Sequence, residues 1–308
     1  EERRYTEAGV FTYFAGRDTS VMVSVRPFEY DTPTPKARAA RRTRIEQVQY
    51  RRGYAMDDQT LFTLMVDLHR EGERQGPGSD EETLRAFELT RLDAAAELQV
   101  ADIGCGTGAS ALALGRKLPN ARIAAVDLFP EFLERLADRA RAAGCAGRIE
   151  TLAESMDSLP FASESLDLIW SEGAIYNIGF NRGIEAWKTF LRPGGVLAVS
   201  EITWLRPDPP EEIRQHWDAE YPEIATASGK IATLERTGYD PLGYLVLPPT
   251  SWIDNYYDPT ERRMQAFLER HAGQPEAAQI VEMERQESDL YRRYQDWISY
   301  GFYVARKR

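Results

Sequence analysis

Between residues 97 and 203 short apolar runs alternate with longer stretches whose apolar positions recur at helical spacing. Leu98 to Ile103, Arg122 to Leu128, Ile149 to Ala153, Leu166 to Trp170 and Val196 to Glu201 read as strands. Helices are predicted over 109–118, 130–143 and about 181–191, with Arg192-Pro193-Gly194-Gly195 as a turn before the fifth strand. A strand–helix–strand alternation of this kind predicts an α/β fold, a parallel sheet with helices on both faces.

On the N-terminal side, Leu61, Leu64, Met65 and Leu68 keep helical spacing and predict an amphipathic helix over about 57–72. Arg74-Gln75-Gly76-Pro77-Gly78-Ser79 stops it, and Ser79 or Asp80 caps a second helix over 81–92. After Trp204 the pattern loosens. Helices are expected near 210–220, 227–237, 259–272 and 276–296, with strands at about 243–248 and at the end of the chain.

Residues 1–56 have a different texture. Val21 to Val25 alternates weakly as one strand, and Asp31-Thr32-Pro33-Thr34-Pro35 excludes regular structure. Lys36 to Arg52 then holds seven basic residues against the single acid Glu46, a solvated or poorly ordered extension or a basic arm for a phosphate-bearing partner. The expected organisation is therefore an extension of uncertain structure at 1–56, with a homodimer contact among its options, and one domain at 57–308.

Composition narrows the classes. With 43% hydrophobic residues in 308, the chain can bury a real core without a staple. A net charge of −11 argues against a surface built for nucleic acid. The two cysteines, Cys105 and Cys145, form no Cys-x-x-Cys pair, as in a reducing compartment, and the three histidines lie in unrelated segments, so no metal site is expected. No apolar run approaches the roughly 20 residues a membrane helix needs, and the first residues lack signal-peptide order; a cytoplasmic location with no membrane span is the expectation.

The strongest chemical signal ends the first strand: Ala101-Asp102-Ile103-Gly104-Cys105-Gly106-Thr107-Gly108. Glycines let the backbone turn sharply and approach a ligand, and the next helix aims its amides at whatever lies there. Alone the loop is ambiguous, because Gly104, Gly106 and Ala109 also satisfy the dinucleotide spacing G-x-G-x-x-A of an NAD-dependent oxidoreductase. Asp102, two residues before the first glycine, could hold the ammonium of an amino-acid-like ligand. Asp127, 19 residues after Gly108, could accept both hydroxyls of a ribose, which either cofactor carries.

The later course of the chain separates the two. The segments RQGPGS (74–79), ADIGCGTG (101–108), DLFP (127–130), SMDSLPF (155–161), LDLIWSEGAIYNIGF (166–180) and FLRPGGVLAVSE (190–201) stand in this order. The set resembles class I S-adenosylmethionine (SAM)-dependent methyltransferases, in particular a group of bacterial small-molecule methyltransferases, from about Met56 to Arg308. Residues 1–55 fall outside it. The resemblance implies a Rossmann-like, seven-stranded, mostly parallel sheet with a helical, aromatic cap, the last strand near 298–306 being antiparallel. Helices at 57–92 would lie over SAM, 97–203 would form the cofactor-binding core, and 204–296 the cap and acceptor region.

The same resemblance implies residue roles. Gly104, Cys105 and Gly106 would meet the methionine part of SAM, with Asp102 orienting its amino group. Asp127 would bind the ribose and Leu128 the adenine, which Met156 and Asp157 would frame. Ser171 and Glu172 would face the sulfonium, and the segment containing Gly76 would fold over the cofactor. SAM's methyl is already activated, so the protein chiefly aligns a nucleophile. Glu172, Tyr176 and Asn177 are the catalytic candidates, with Glu172 as base, holder of a cation, or outward-facing carboxylate. Trp204, Trp217, Tyr221, Trp252, Tyr256 and Tyr257 suit either a flat or cationic acceptor or a cap core. The expected enzyme methylates a small molecule; an RNA methyltransferase using the 36–52 arm is the rival within the family.

Overall fold

The computed structural model describes residues 9–13, 21–25 and 58–308 of the chain. The first two segments, β1 (Gly9–Tyr13) and β2 (Val21–Val25), pair antiparallel. The basic 36–52 arm lies outside the described residues.

The next elements are α1 (Asp58–His69) and α2 (Asp80–Thr90). Ser79 caps α2: its Oγ accepts from the amides of Glu81 and Glu82, and three acids in the first turn complement the helix dipole. The core then runs β3 (Gln99–Ile103), α3 (Ala109–Lys117), β4 (Arg122–Asp127), α4 (Pro130–Ala142), β5 (Ile149–Ala153), β6 (Leu166–Glu172), α5 (Phe180–Lys188) and β7 (Leu191–Trp204). Beyond it come α6 (Glu211–Glu220), β8 (Ala225–Thr226), α7 (Ala227–Arg236), β9 (Tyr239–Val246), α8 (Pro249–Trp252), α9 (Asp258–Arg270), α10 (Pro275–Tyr294) and β10 (Ile298–Lys307).

One sheet of order β5-β4-β3-β6-β7-β10-β9 organises the molecule, and the short β8 joins it beside β7. The pairs among β3 to β7 are parallel, whereas β10 runs antiparallel to both β7 and β9. Strand periodicity explains why both faces are covered. Val100, Leu168, Trp170, Val196, Ala198, Phe302 and Val304 enter one buried cluster with α2, α3 and α4. Their neighbours Ala101, Ile169, Leu197, Val199, Tyr303 and Ala305 enter the other, with α5 and α7.

Three expectations change. Residues 192–195 are not a turn between elements but an irregular stretch inside β7, where pairing with β6 jumps from Leu166↔Leu191 to Leu168↔Val196. The strand expected at 243–248 is β9, starting at Tyr239. Residues 204–296 are not one cap, because β9 hydrogen-bonds to β10 and α7 packs on the sheet. The layer over the carboxyl edge instead joins α1 to α9 and α10 through Leu61, Leu64, Leu68, Met264, Phe267 and Ile280. A second cluster adds α6, α8 and the π-helical turn Ile253–Tyr257, through Ile213, Trp252, Tyr256, Tyr257 and Tyr291. Among the described residues no helix is long and apolar enough to cross a membrane.

Candidate active site

Parallel strands deliver their last residues to a common edge, where open α/β sheets bind ligands. Asp102, Asp127 and Glu172 all reach that edge, from β3, β4 and β6. Between β3 and α3 the chain makes its tight turn with Gly104 (φ 74°), Gly106 (φ 54°) and Gly108 (φ 88°). A Cβ at Gly104 would overlap that of Ala174, and one at Gly106 would overlap the Gln75 side chain, so neither position has room for a larger residue.

Asp102 is fully buried. Its Oδ2 accepts from Ser110 Oγ at 2.6 Å while Oδ1 has no hydrogen-bond partner. Burial, against the Ser110 bond, lifts its carboxyl to about 7. Asp127 is held differently: Oδ2 accepts from the Gly106 amide at 2.8 Å and Oδ1 from the Phe129 amide at 3.0 Å. Burial still raises its pKa, those amides working against it. Cys105 is buried, and burial pushes its thiol well up, which suits a spacer and not a nucleophile. Leu128 beside Asp127 is 51% exposed, one of two such large apolar side chains among the described residues. Met156 is half-buried. Asp157 is exposed and pairs with Arg182 at 2.8 Å, and the Ser171 hydroxyl is buried without a partner.

Glu172 stands apart from the role of base. Its Oε2 accepts from Arg74 Nη1 at 2.8 Å, and its Oε1 from Thr83 Oγ1 at 2.6 Å and Trp170 Nε1 at 2.9 Å. With both oxygens bound, the carboxylate ties segment 74–78 and α2 to the sheet. Gly173, not Glu172, faces the cavity described below. Gln75 was not among the expected site residues, yet it sits on the glycine loop: its Oε1 accepts from the Thr107 amide at 2.7 Å, while its Nε2 donates to the carbonyls of His69 and Gly72. Its segment was visible as RQGPGS, but nothing local singles out the glutamine. The far end of that segment is fastened by Asn255 Nδ2, which donates to the Gly78 carbonyl at 2.9 Å from the π-helical turn.

From Gln75, Gly76 and Gly173 a cavity of about 950 Å³ opens under the helical layer. Tyr176 and Asn177 line it, as do Trp217, Tyr221, Trp252 and Tyr256; Trp204 and Tyr257 instead pack in the core behind it. Burial, aided by Glu287 and Glu201, raises Tyr176 to about 12, so at neutral pH its phenol is a hydrogen-bond donor. Asn177 Nδ2 donates to the Ala174 carbonyl at 2.9 Å. His271 lies elsewhere, Nε2 against Asp67 Oδ2 at 2.9 Å in the α1–α9 contact. Asp167 is structural as well, accepting from the Gln99 amide and Arg192.

Residues 100–195 match the family model of the methyltransferase domain. This stretch, running from β3 into β7, is similar to a methyltransferase domain. The chain's fold is shared by solved structures that cover most of it. A SAM-dependent methyltransferase from Thiobacillus denitrificans, solved with S-adenosylhomocysteine, superposes with a TM-score of 0.70 at 21% identity, over 82% of this chain and 100% of that one. The [4+2]-cyclase SpnF superposes with a TM-score of 0.63 at 20% identity, over 80% of this chain and 93% of that one. The methyltransferase GfsG of Streptomyces halstedii is 37% identical over 114 residues, 36% of this chain and 40% of that protein. The chain spans less than half the length of the curated relatives first matched, between 35% and 49%. A cyclase and a methyltransferase thus share the shape, and the reaction has to be argued from the site.

Proposed function

We propose that this protein transfers a methyl group from SAM to a small-molecule acceptor by in-line displacement. The observation that carries the reading is an adjacency: Gln75, whose Oε1 accepts from the Thr107 amide of the glycine turn at 2.7 Å, also lines an aromatic cavity together with Gly76 and Gly173. One side suits an amino-acid nucleoside and the other an organic acceptor.

The residues present fit SAM. The unpartnered Asp102 Oδ1 suits an ammonium, and the close backbone at Gly104, Cys105 and Gly106 suits the methionine chain. Asp127 keeps lone pairs for the ribose hydroxyls, Leu128 offers an exposed apolar face to the adenine, and Met156 and Asp157 border it from the end of β5. When bound, SAM supplies a methyl group already activated on sulfonium. The protein's own part is to bring the acceptor into line and exclude water. Ser171 stands at the β6 end with its hydroxyl free for the cofactor side. Tyr176 and Asn177 meet the acceptor, Tyr176 as a donor. Glu172 is a positioning residue, holding Arg74 and with it the segment over the loop.

Calorimetric titration with S-adenosylhomocysteine, SAM and NAD tests the cofactor. Micromolar binding of the two adenosyl-sulfur ligands and none of NAD is expected; binding of NAD alone would replace this reading with an oxidoreductase.

A further inference from the structure

The cavity has a charge that methyl transfer itself does not require. Glu185, Glu220, Glu223, Glu284 and Glu287 border it, against Arg182, which is paired with Asp157, and His69. Two of these acids are deeply buried with an oxygen left over. Glu284 is 6% exposed; its Oε1 meets His69 Nε2 at 3.0 Å and its Oε2 has no partner. Glu220, on α6, is 7% exposed, again with Oε2 unpartnered. One turn along α10 from Glu284, Glu287 accepts from Tyr257 Oη at 2.9 Å. A buried carboxylate oxygen without a donor costs free energy unless something charged or hydrogen-bonding meets it.

The rings around these acids belong to Tyr176, Tyr256, Tyr300 and Trp252, which line the same cavity, the His69 ring lying stacked on Tyr256 at 6.0 Å. Electron-rich faces beside desolvated carboxylates form a site for a compact organic cation, each ring adding attraction in the absence of water. A cation beside these acids favours their ionised form, whereas an anionic or carboxylate-bearing acceptor would find protonated acids or repulsion on α6, α10 and the 223 loop.

Resting on the methyl-transfer reading, we propose that the acceptor is an organic amine entering as its cation, its nitrogen held by Glu284 and Glu287 of α10 beside Tyr176, Tyr256 and Tyr300, one of these carboxylates taking the ammonium proton so that the freed lone pair accepts the methyl group as S-adenosylhomocysteine leaves. The site selects against neutral and anionic acceptors of the same shape. Glu220, on α6, borders the same cavity.

The test uses the full chain saturated with S-adenosylhomocysteine, whose own binding reports separately on the cofactor reading. Benzylamine, tyramine and tetramethylammonium are titrated calorimetrically beside benzyl alcohol and phenylacetate. The expected result is binding of at least one cation, with neither the alcohol nor the acid binding. Glu284→Gln and Glu287→Gln should each weaken that cation by about tenfold or more while the affinity for S-adenosylhomocysteine, the control for folding, stays within twofold. Selective binding of the alcohol or acid, equal cation binding by both Gln variants, or no cation binding at millimolar concentration with S-adenosylhomocysteine bound would each overturn the amine assignment and leave methyl transfer standing. Failure to bind S-adenosylhomocysteine would instead sink the cofactor reading.

Discussion

At the scale of single residues, the two strand-end aspartates divide the work between them by their hydrogen bonds. Asp127 is pre-oriented by two amides, so its loss leaves ribose hydroxyls and amides without an acceptor. Asp127→Ala should raise the dissociation constant for S-adenosylhomocysteine roughly 5- to 150-fold, the equivalent of about 1–3 kcal/mol; an unchanged constant would remove this residue from the site. Asp102 has an oxygen in waiting and a carboxyl near 7. An ammonium beside it favours the ionised form, so ligand binding releases its proton. Affinity for S-adenosylhomocysteine should therefore strengthen as pH rises from 6 to 8, and flatten in Asp102→Asn. A pH-independent affinity in the parent protein would mean that the two groups do not meet.

At the scale of elements, what could be read from the sequence depended on how local the cause was. The glycine turn and its flanking strands β3 and β4 are local: apolar alternation, three glycines and a strand-end acid lie within 30 residues, and their expected positions and the observed ones agree. The catalytic assignment of Glu172 rested on its place after β6, but Arg74 and Thr83, remote in sequence, determine where the carboxylate points. Gln75 likewise acquires its place from Thr107, 32 residues away. Glu284 and Glu287 look like ordinary polar positions on α10, and become cavity acids only because α1 and the π-helical turn pack around them. The clasp formed by segment 74–78 has a measurable consequence. Gln75→Ala removes the acceptor for the Thr107 amide and should speed hydrogen exchange in 72–79 and 106–108 without lowering the melting temperature by more than a few degrees, since about 1 kcal/mol is at stake. Unaltered exchange would show that Gln75 does not fasten the segment.

At the scale of the whole molecule, burial of acids makes stability depend on pH. Burial lifts Asp102, Glu201 and Glu220 to about 7 and, with Glu284 beside it, Glu287 to about 8. The unfolded chain would lose these protons nearer pH 4, so between pH 4 and 8 the folded state binds more protons than the unfolded one. These four groups thus make the ligand-free protein lose stability as pH rises from about 5 to 8. The melting temperature should fall over that window, and a rise would refute the assignment. Glu201 also faces Lys230 at 3.7 Å, both fully buried, with the ammonium over the Phe180 ring at 4.3 Å. Lys230→Met removes the cation that holds the Glu201 pKa down, so Glu201 takes up a proton on substitution; the loss of stability, at most about 3–5 kcal/mol, should be larger at pH 8 than at pH 6, where Glu201 already holds its proton, and equal losses at both would mean that the pair carries no charge.

Methyl transfer is tested most directly by incubating the full chain with SAM carrying tritium in its methyl group and a panel of small amines, then following S-adenosylhomocysteine and label together. The account predicts stoichiometric appearance of S-adenosylhomocysteine and of label in one organic amine, much reduced in Asp127→Ala. Tight binding of SAM with no label transferred to any acceptor would contradict it, and would leave a methyltransferase fold put to another use.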